Sequence, residues 1–288
     1  MGLVIPQVIT SDRASGAQVI DGSLKFDGTN DYLNRTPGSG DRRTWTLSFW
    51  IKRGIHGTSQ HIIGNYYNSA NDGFNIRFAA DDTLGLFDLS GGSYTNGFNV
   101  ATTQVFRDTG WYHIVVALDT AQSTSTDRLK VYVNGTRVTS FGTTDFPDQN
   151  NEYNFNTTNS LSIGRGGSYD GQYFGGYLSN YYCVDGQALD ASYFGYTDGL
   201  TNTWKPKKYT GTFGTNGFWL PMDGSAPIGQ DQSGNGNDWT PVNFGGSVAL
   251  DNPQVFGAKP ILNTTPGGTQ AGVGVFGSKQ NVGYAVTV

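Results

Sequence analysis

The sequence predicts an all-β protein built as a sandwich of two antiparallel sheets. Charged residues make up 14 % of the 288 residues, well below the roughly 25 % of an average soluble domain. Glycine occurs 42 times and Glu152 is the only glutamate, a composition that disfavours long helices and favours short strands joined by turns. Short apolar segments follow one another with turn residues roughly every 8 to 12 positions and no helical period, as in β-sandwiches.

The predicted strands begin near residue 21. The segment SLKFDGTNDYL predicts a hairpin whose turn starts at Asp27-Gly28. The next segment, WTLSFWIKR, has an apolar residue at every second position, which predicts a strand with one apolar face. Asp81-Asp82 marks a turn between two further strands.

The segment WYHIVVAL is apolar on both faces, which predicts a strand that lies between two layers or near the centre of a sheet. The strand RLKVYV after it ends at Asn134-Gly135, the strongest short hairpin signal, because a type I′ turn needs a positive φ at both central residues. We interpret the whole stretch from Trp111 to Val138, which contains both strands and this turn, as the central scaffold of the sandwich. Further strands are expected at SLSIGRG, GGYLSNYYCVDGQAL and NGFWL, and Asp190 is expected to cap a short helix.

We divide the chain into an N-terminal arm (residues 1–20), a sandwich domain (residues 21–240) and an extended glycine-rich C-terminal arm (residues 241–288). The C-terminal arm has scattered apolar residues and few charges, so it cannot form a core alone. We expect it to find its hydrogen bonds on a neighbouring subunit, and a flexible linker is the alternative.

Charge and hydropathy exclude several classes of function. The net charge is −5 and the densest basic cluster, Lys205, Lys207 and Lys208, is too short for a nucleic-acid binder. No apolar run reaches the length of a membrane span, and the first residues lack the basic region of a secretory leader. Cys183 is the sole cysteine, so an intramolecular disulfide is excluded and we expect a small buried apolar residue.

The residues that catalysis would need are sparse, and we predict that the protein is not an enzyme. Glycoside hydrolysis generally uses a pair of carboxyl groups, whereas Glu152 stands alone in an asparagine-rich loop. The histidines, His56, His61 and His113, lack the spacing of a zinc site. We expect His113, which lies within a strand, to be a hydrogen-bonded histidine of the core or of the sheet edge.

The segment DQSGNGND is the candidate metal site. It offers hard oxygen donors that suit calcium, namely Asp231, Asn235, Asn237 and Asp238. The same residues suit Asx turns, in which the side chains bind the local backbone. We favour the turns and therefore expect no cofactor. A calcium ion bound by this segment is the alternative.

The candidate carbohydrate site consists of aromatic residues in loop-like segments, because exposed aromatic faces can stack on sugar rings. The segment GSYDGQYFGG and a tyrosine pair upstream supply its members, which are Tyr169, Tyr173, Phe174, Tyr66 and Tyr67. Packing at the rims of the sandwich, or at a subunit contact, is the alternative role.

Three pairs of segments, in this order along the chain, resemble the laminin-G-like, concanavalin A-like lectin/glucanase family: SLKFDGTNDYL with WTLSFWIKR, GWYHIVVALD with RLKVYVNGTRV, and SLSIGRG with FGGYLSNYYCVDGQAL. The resemblance covers residues 20–195 and implies a jelly-roll sandwich. Because lectins, glycosidases and adhesion modules share that fold, it does not decide the function. The segment GLTNTWKPKKYTGTFGTNGFWLPMDGS also resembles virion proteins of marine tailed bacteriophages.

We therefore expect a non-enzymatic structural protein of a bacteriophage virion, either a capsid decoration or a tail or fibre component, with a lectin-like surface module for attachment. Its partners would be other virion proteins and copies of itself, bound through the terminal arms, together with host-surface glycans. It would be assembled in the host cytoplasm. The alternatives are a free-standing carbohydrate-binding lectin or adhesin and, third, a hydrolase with an unfamiliar site.

Overall fold

The computed structural model describes residues 18, 20, 22–65, 72–167, 171–245 and 248–249. Two large antiparallel sheets pack face to face around one apolar core. This arrangement confirms the predicted jelly-roll sandwich. Most of the two predicted arms lies outside the described residues. No helix in the described part of the chain has the length and apolarity needed to cross a bilayer.

The first sheet has the strand order β10-β9-β8-β3-β13-β1-β18, and β16 pairs with β13. Its strands are β1 (Ser23–Asp27), β3 (Thr44–Arg53), β8 (Tyr112–Asp119), β9 (Leu129–Val133), β10 (Thr136–Arg137), β13 (Gly175–Asp185), β16 (Phe218–Leu220) and β18 (Val248–Ala249). A single helical turn, α1 (Ser125–Arg128), lies between β8 and β9.

The second sheet has the strand order β11-β7-β6-β5-β4-β12-β2-β17. Its strands are β2 (Tyr32–Arg35), β4 (Gln60–Gly64), β5 (Gly73–Phe78), β6 (Thr83–Ser90), β7 (Ser93–Val105), β11 (Phe141–Asp145), β12 (Leu161–Ile163) and β17 (Thr240–Val242). A separate hairpin consists of β14 (Gly195–Asp198) and β15 (Thr203–Pro206). A 3₁₀ turn at Ala191–Tyr193 replaces the predicted short helix, and Asp190 caps it as expected.

The core lies between the two sheets and is rich in aromatic rings. The alternation predicted for β3 holds, because Trp45, Leu47, Phe49 and Ile51 all point into the core and are fully buried. The Trp45 ring lies 5.3 Å from the ring of Phe74 in the second sheet. Burying each such side chain contributes about 1.5–3 kcal/mol, so these contacts hold the two sheets together.

The predicted hairpin at SLKFDGTNDYL is wrong. Strand β1 pairs with β13 in the first sheet, whereas β2 pairs with β12 in the second. Between them the Asp27 carboxylate accepts hydrogen bonds from the backbone N–H groups of Thr29, Asn30 and Asp31. This Asx turn carries the chain from one sheet to the other instead of folding it back on itself.

The hairpin at Asn134-Gly135 is confirmed, and the predicted scaffold from Trp111 to Val138 lies beside the central strand of its sheet rather than at the centre. Asn134 and Gly135 have φ values of 49° and 82°, as a type I′ turn requires. Strands β9 and β10 on either side of the turn lie at the end of the first sheet. The centre of that sheet is β3, which pairs with β8 on one side and β13 on the other.

A third layer covers the outer face of the first sheet. We call residues 186–215 the covering segment; it contains the 3₁₀ turn and the β14–β15 hairpin. Its Leu189, Phe194 and Tyr209 pack against Tyr182 and Val184 of β13 in a second apolar cluster. The prediction that the WYHIVVAL strand lies between two layers is thereby confirmed.

The ends of the sandwich differ from the predicted boundaries. Gln18 donates its N–H to the Pro206 carbonyl at 3.1 Å, and Ile20 is buried beside Trp50. At the other end, β17 and β18 pair with the two sheets. The sandwich therefore extends beyond residue 240, to residue 249.

A buried ion pair connects the two sheets at one end of the core. Arg53, the last residue of β3, is fully buried and lies 3.0 Å from the carboxylate of Asp82 in the β5–β6 turn. Its guanidinium also donates to the Phe106 carbonyl at 2.6 Å and lies over the Phe78 ring. We call this pair the clamp.

The charge of Asp82 is stabilised by its hydrogen bonds. Burial alone would raise the pKa of this carboxyl group, but the Gly57 N–H and the guanidinium groups of Arg107 and Arg53 lower the pKa to about 2. The clamp is therefore fully ionised at neutral pH.

Replacing Asp82 with alanine leaves the Arg53 charge buried without a partner. We expect the free energy of unfolding to fall by about 3–5 kcal/mol, as measured by urea denaturation at pH 7. Arg107→Ala is the matched control, because Arg107 pairs with the same carboxylate but has a side chain that is 64 % exposed. We expect this variant to lose less than about 1 kcal/mol of unfolding free energy. Equal losses in the two variants would contradict the role of the clamp.

Candidate functional site

Three side chains form a platform on the outer face of the second sheet. They are Tyr32 of β2, Arg165 after β12 and Tyr173 before β13, and each is half-buried. The alternation of β2 turns Leu33 into the core and Tyr32 outward. The Arg165 guanidinium carbon lies 3.6 Å from the centroid of the Tyr32 ring, and the Tyr32 and Tyr173 ring centroids are 6.3 Å apart. We call this group the tyrosine platform.

A polar network under the platform fixes the position of Arg165. Its Nε donates to Ser162 Oγ at 3.2 Å, and that hydroxyl donates to Asn34 Oδ1 at 3.1 Å. Ser160 Oγ donates to the same amide oxygen at 2.8 Å. Asn34 and Ser162 are direct partners in the β2–β12 register, so the sheet itself holds these groups together.

The tyrosine platform is suited to binding rather than to reaction. Its aromatic faces can stack on a ring, and the terminal nitrogens of Arg165 can donate hydrogen bonds to hydroxyl groups. The Arg165 guanidinium offers hydrogen-bond donors and no acceptor, so it can hold the oxygens of a ligand. The platform therefore has the chemistry of a recognition surface.

Of the predicted carbohydrate-binding residues, Tyr173 lies on the platform. Phe174 does not, because it is fully buried with its ring 5.8 Å from that of Phe26. That part of the prediction is wrong, since a core ring has no face to offer a ligand. Tyr66, Tyr67 and Tyr169 lie outside the described residues, and their role stays a prediction.

Sequence reasoning missed the other two members of the platform. Arg165 falls in the predicted strand SLSIGRG and Tyr32 in the predicted hairpin SLKFDGTNDYL, and neither assignment indicates a ligand. The alternation of β2 is the signal that could have found Tyr32, because a tyrosine next to the inward-facing Leu33 must face outward. Nothing in the local sequence indicates that Arg165 stacks on it.

Local hydrogen bonds occupy much of the candidate calcium loop. Asp231 accepts four hydrogen bonds, from the N–H groups of Trp219, Ser233 and Asn237 and from Ser233 Oγ, which uses the capacity of one carboxylate. Asp238 accepts from the Asp231 N–H at 2.8 Å. The favoured interpretation as Asx turns describes this segment, and calcium binding stays a prediction.

The two asparagines of the same loop bind its backbone. Asn235 donates both amide hydrogens to the carbonyls of Gly214 and Gly217. Asn237 donates to the carbonyls of Thr215 and Gly217 and accepts from Arg35. Throughout the described ranges, no group of three His, Cys, Asp or Glu side chains is arranged to hold a metal ion.

The other carboxylates that could serve catalysis have structural partners. Glu152 forms ion pairs with Arg42 at 3.2 Å and Arg43 at 3.3 Å on the surface. Asp185, at the end of β13, accepts hydrogen bonds from the Asp41 N–H, the Asn216 N–H and the Asn156 amide. It thereby ties three loops to the first sheet.

Asp88 has the pKa of a general acid but not the position of one. Burial raises its pKa to about 7, against the lowering effect of hydrogen bonds from Asn154. The residue is 1 % exposed, and Asn154 donates to both carboxylate oxygens at 2.8 Å. Asp88 therefore anchors a loop to β6 and is closed to a substrate.

The two other groups singled out in the sequence are also part of the core. His113 is buried between Ser48, whose Oγ lies 2.9 Å from Nε2, and Trp204, whose indole N–H donates to Nδ1 at 3.0 Å. Burial lowers its pKa to about 3, so the ring is neutral. Cys183 is fully buried, and burial raises the pKa of its thiol. Both predictions are confirmed.

Comparison with known proteins identifies the fold that carries these groups. A family model described as the concanavalin A-like lectin/glucanases superfamily matches residues 27–192. The native heptameric SAP-like pentraxin from Limulus polyphemus is 18 % identical with a TM-score of 0.48, over 72 % of this chain and 94 % of that chain. Domains LG4-5 of the mouse laminin α1 chain are 14 % identical with a TM-score of 0.39, over 67 % of this chain and 48 % of that chain. No protein of curated function matches the chain in sequence.

The raised pKa of Asp88 predicts a pH dependence of stability. Between about pH 4 and pH 7 the native state binds a proton that the unfolded state releases, so the free energy of unfolding falls as the pH rises across this window. Each unit of pKa difference corresponds to about 1.4 kcal/mol.

Asp88→Asn removes this titration. As the pH is raised from 4.5 to 7.5, we expect the unfolding free energy of the wild type to fall relative to that of Asp88→Asn. Urea denaturation of both proteins at each pH measures this difference. Parallel pH profiles of the two proteins would contradict the assigned pKa.

Proposed function

We propose, since the chain belongs to the concanavalin A-like lectin/glucanase superfamily, that it is a non-enzymatic structural protein of a bacteriophage virion whose sandwich attaches the particle to a glycan. The observation that carries the attachment role is the tyrosine platform. Aromatic faces and fixed hydrogen-bond donors meet there on an accessible face of the sandwich.

Recognition would use both kinds of group on the platform. The half-buried ring of Tyr173 can stack on the C–H face of a sugar. The guanidinium of Arg165, held by Ser162 and by the Tyr32 ring, can donate to sugar hydroxyls without losing much side-chain freedom. Tyr66, Tyr67 and Tyr169 remain candidates to extend this surface.

The non-enzymatic part of the proposal is supported by the way the carboxylates are used. Asp82 belongs to the clamp, Asp88 anchors a loop, and Asp185 and Asp231 hold turns. Glycoside hydrolysis needs two carboxyl groups that flank the bond to be broken. Here these groups serve the fold instead.

The virion part of the proposal is supported by the two arms. The C-terminal arm combines apolar residues with many glycines and few charges, a composition suited to packing along a neighbouring subunit rather than to forming its own core. Other virion proteins and further copies of this chain would be the partners, in a capsid decoration or in a tail or fibre.

A free-standing lectin or adhesin is the second candidate. It is favoured by the position of the tyrosine platform on the sandwich itself, where binding does not require the arms. The two candidates differ in what removal of the C-terminal arm should do.

Glycan binding by the platform can be tested with Tyr173→Ala and Arg165→Ala. We expect each substitution to weaken binding to the best ligand on a glycan array by about tenfold, which corresponds to about 1.4 kcal/mol. Tyr193→Ala is the matched control, because Tyr193 is an exposed tyrosine of the covering segment. Unchanged affinity in both platform variants would exclude sugar binding at this surface.

Assembly through the C-terminal arm can be tested by deleting residues 251–288, a deletion that leaves β17 and β18 in place. We expect the shortened chain to keep its β-sheet circular dichroism and thermal midpoint but to lose incorporation into particles and self-association in sedimentation. Full assembly of the shortened chain would contradict the virion proposal and favour the free-standing lectin.

A further inference from the structure

An open cleft of about 690 Å³ lies on the outer face of the first sheet, on the opposite side of the sandwich from the tyrosine platform. One wall is the end of the covering segment, residues 208–215. The other wall consists of Trp219 of β16 and the loop residues Gln232, Ser233 and Asn235. We call it the Trp219 cleft.

Trp219 is held rigidly within this cleft. Its ring is stacked on the buried Tyr182 ring, with centroids 5.6 Å apart and an angle of 10° between the planes. Its indole N–H donates to Asn180 Oδ1 at 2.8 Å. A flat aromatic surface is therefore fixed at the cleft before any ligand arrives, which reduces the entropy cost of binding.

Lys208 places a positive charge over this surface. Its Nζ lies 4.5 Å from the centroid of the Trp219 ring. In the basic cluster noted in the sequence, Lys205 pairs with Asp198 and Lys207 donates to the Ser192 carbonyl. Within the described part of the chain, the Lys208 ammonium has no carboxylate within ion-pair distance, and its charge is open to an anion.

The walls of the cleft are polar and partly fixed. Asn235 is held by its two donated hydrogen bonds to Gly214 and Gly217, which leaves its amide oxygen as an acceptor. The Tyr209 hydroxyl donates to the Thr212 carbonyl at 2.9 Å and so shapes the opposite wall. Thr210, Thr212 and Thr215 also line the cleft.

We propose that the Trp219 cleft binds an acidic saccharide, with a sugar ring stacked on Trp219 and its carboxylate paired with Lys208. One ammonium beside one indole matches a ring that carries a single carboxylate, and the surrounding hydroxyl and amide groups match sugar hydroxyls. The net charge of −5 disfavours long polyanions such as nucleic acids. This site is additional to the tyrosine platform and does not depend on it.

The probes are a galacturonate trisaccharide and the neutral galactose trisaccharide of the same length, titrated into the full chain by calorimetry. We expect the acidic trisaccharide to bind at least tenfold more tightly. Lys208→Met, which keeps most of the side-chain stem, should reduce its affinity to that of the neutral trisaccharide, whereas Lys208→Arg should keep most of the preference. Lys207→Met, the matched control, should bind like the wild type.

Other results would overturn the assignment. Equal affinity for the two trisaccharides, undetectable binding of the acidic one, or a preference that survives Lys208→Met would each exclude the cleft as an acidic-sugar site. A loss of the acidic ligand in Tyr173→Ala would place that ligand on the tyrosine platform instead. Tyr173→Ala and Lys208→Met change opposite sides of the sandwich. A negative result for the Trp219 cleft can therefore be told apart from a negative result for glycan attachment at the tyrosine platform.

Discussion

The need to bury both faces of the first sheet determines much of this structure. The inner face of β3, β8 and β13 packs against the second sheet, and their outer face carries Trp50, Val115, Tyr182 and Val184, all fully buried. An uncovered face of this size would be a large apolar patch in water. The covering segment and Ile20 remove it from water, so the protein has three layers where a minimal sandwich has two.

This third layer also accounts for the Trp219 cleft. The covering segment shields the ring of Tyr182 completely but leaves Trp219, beyond the end of the segment, half-buried. The same apolar contacts that stabilise the fold therefore fix an aromatic ring at the surface. On the other side of the sandwich, Tyr32 is partly exposed for a different reason, because strand alternation directs it away from the core.

The carboxylates have a consistent role that complements these surfaces. Asp27, Asp185 and Asp231 bind backbone N–H groups in turns, and Asp82 joins the two sheets through Arg53. A carboxylate whose oxygens all accept hydrogen bonds is poorly available for a metal ion or for proton transfer. The tyrosine platform and the Trp219 cleft instead present aromatic rings, amides and two cationic groups, Arg165 and Lys208.

The sequence by itself determined the sandwich, the alternation of β3, the two-sided burial of β8 and the turn at Asn134-Gly135, because each depends on neighbouring residues. Only the tertiary structure decided which sheet each strand joins, since alternation identifies a face but not a partner: Leu24 pairs with Leu178, far along the chain. The same holds for the stacking of Arg165 on Tyr32 and the position of Lys208 over Trp219. These contacts join residues from separate segments. A local sequence pattern carries no information about which distant segments come into contact when the chain folds.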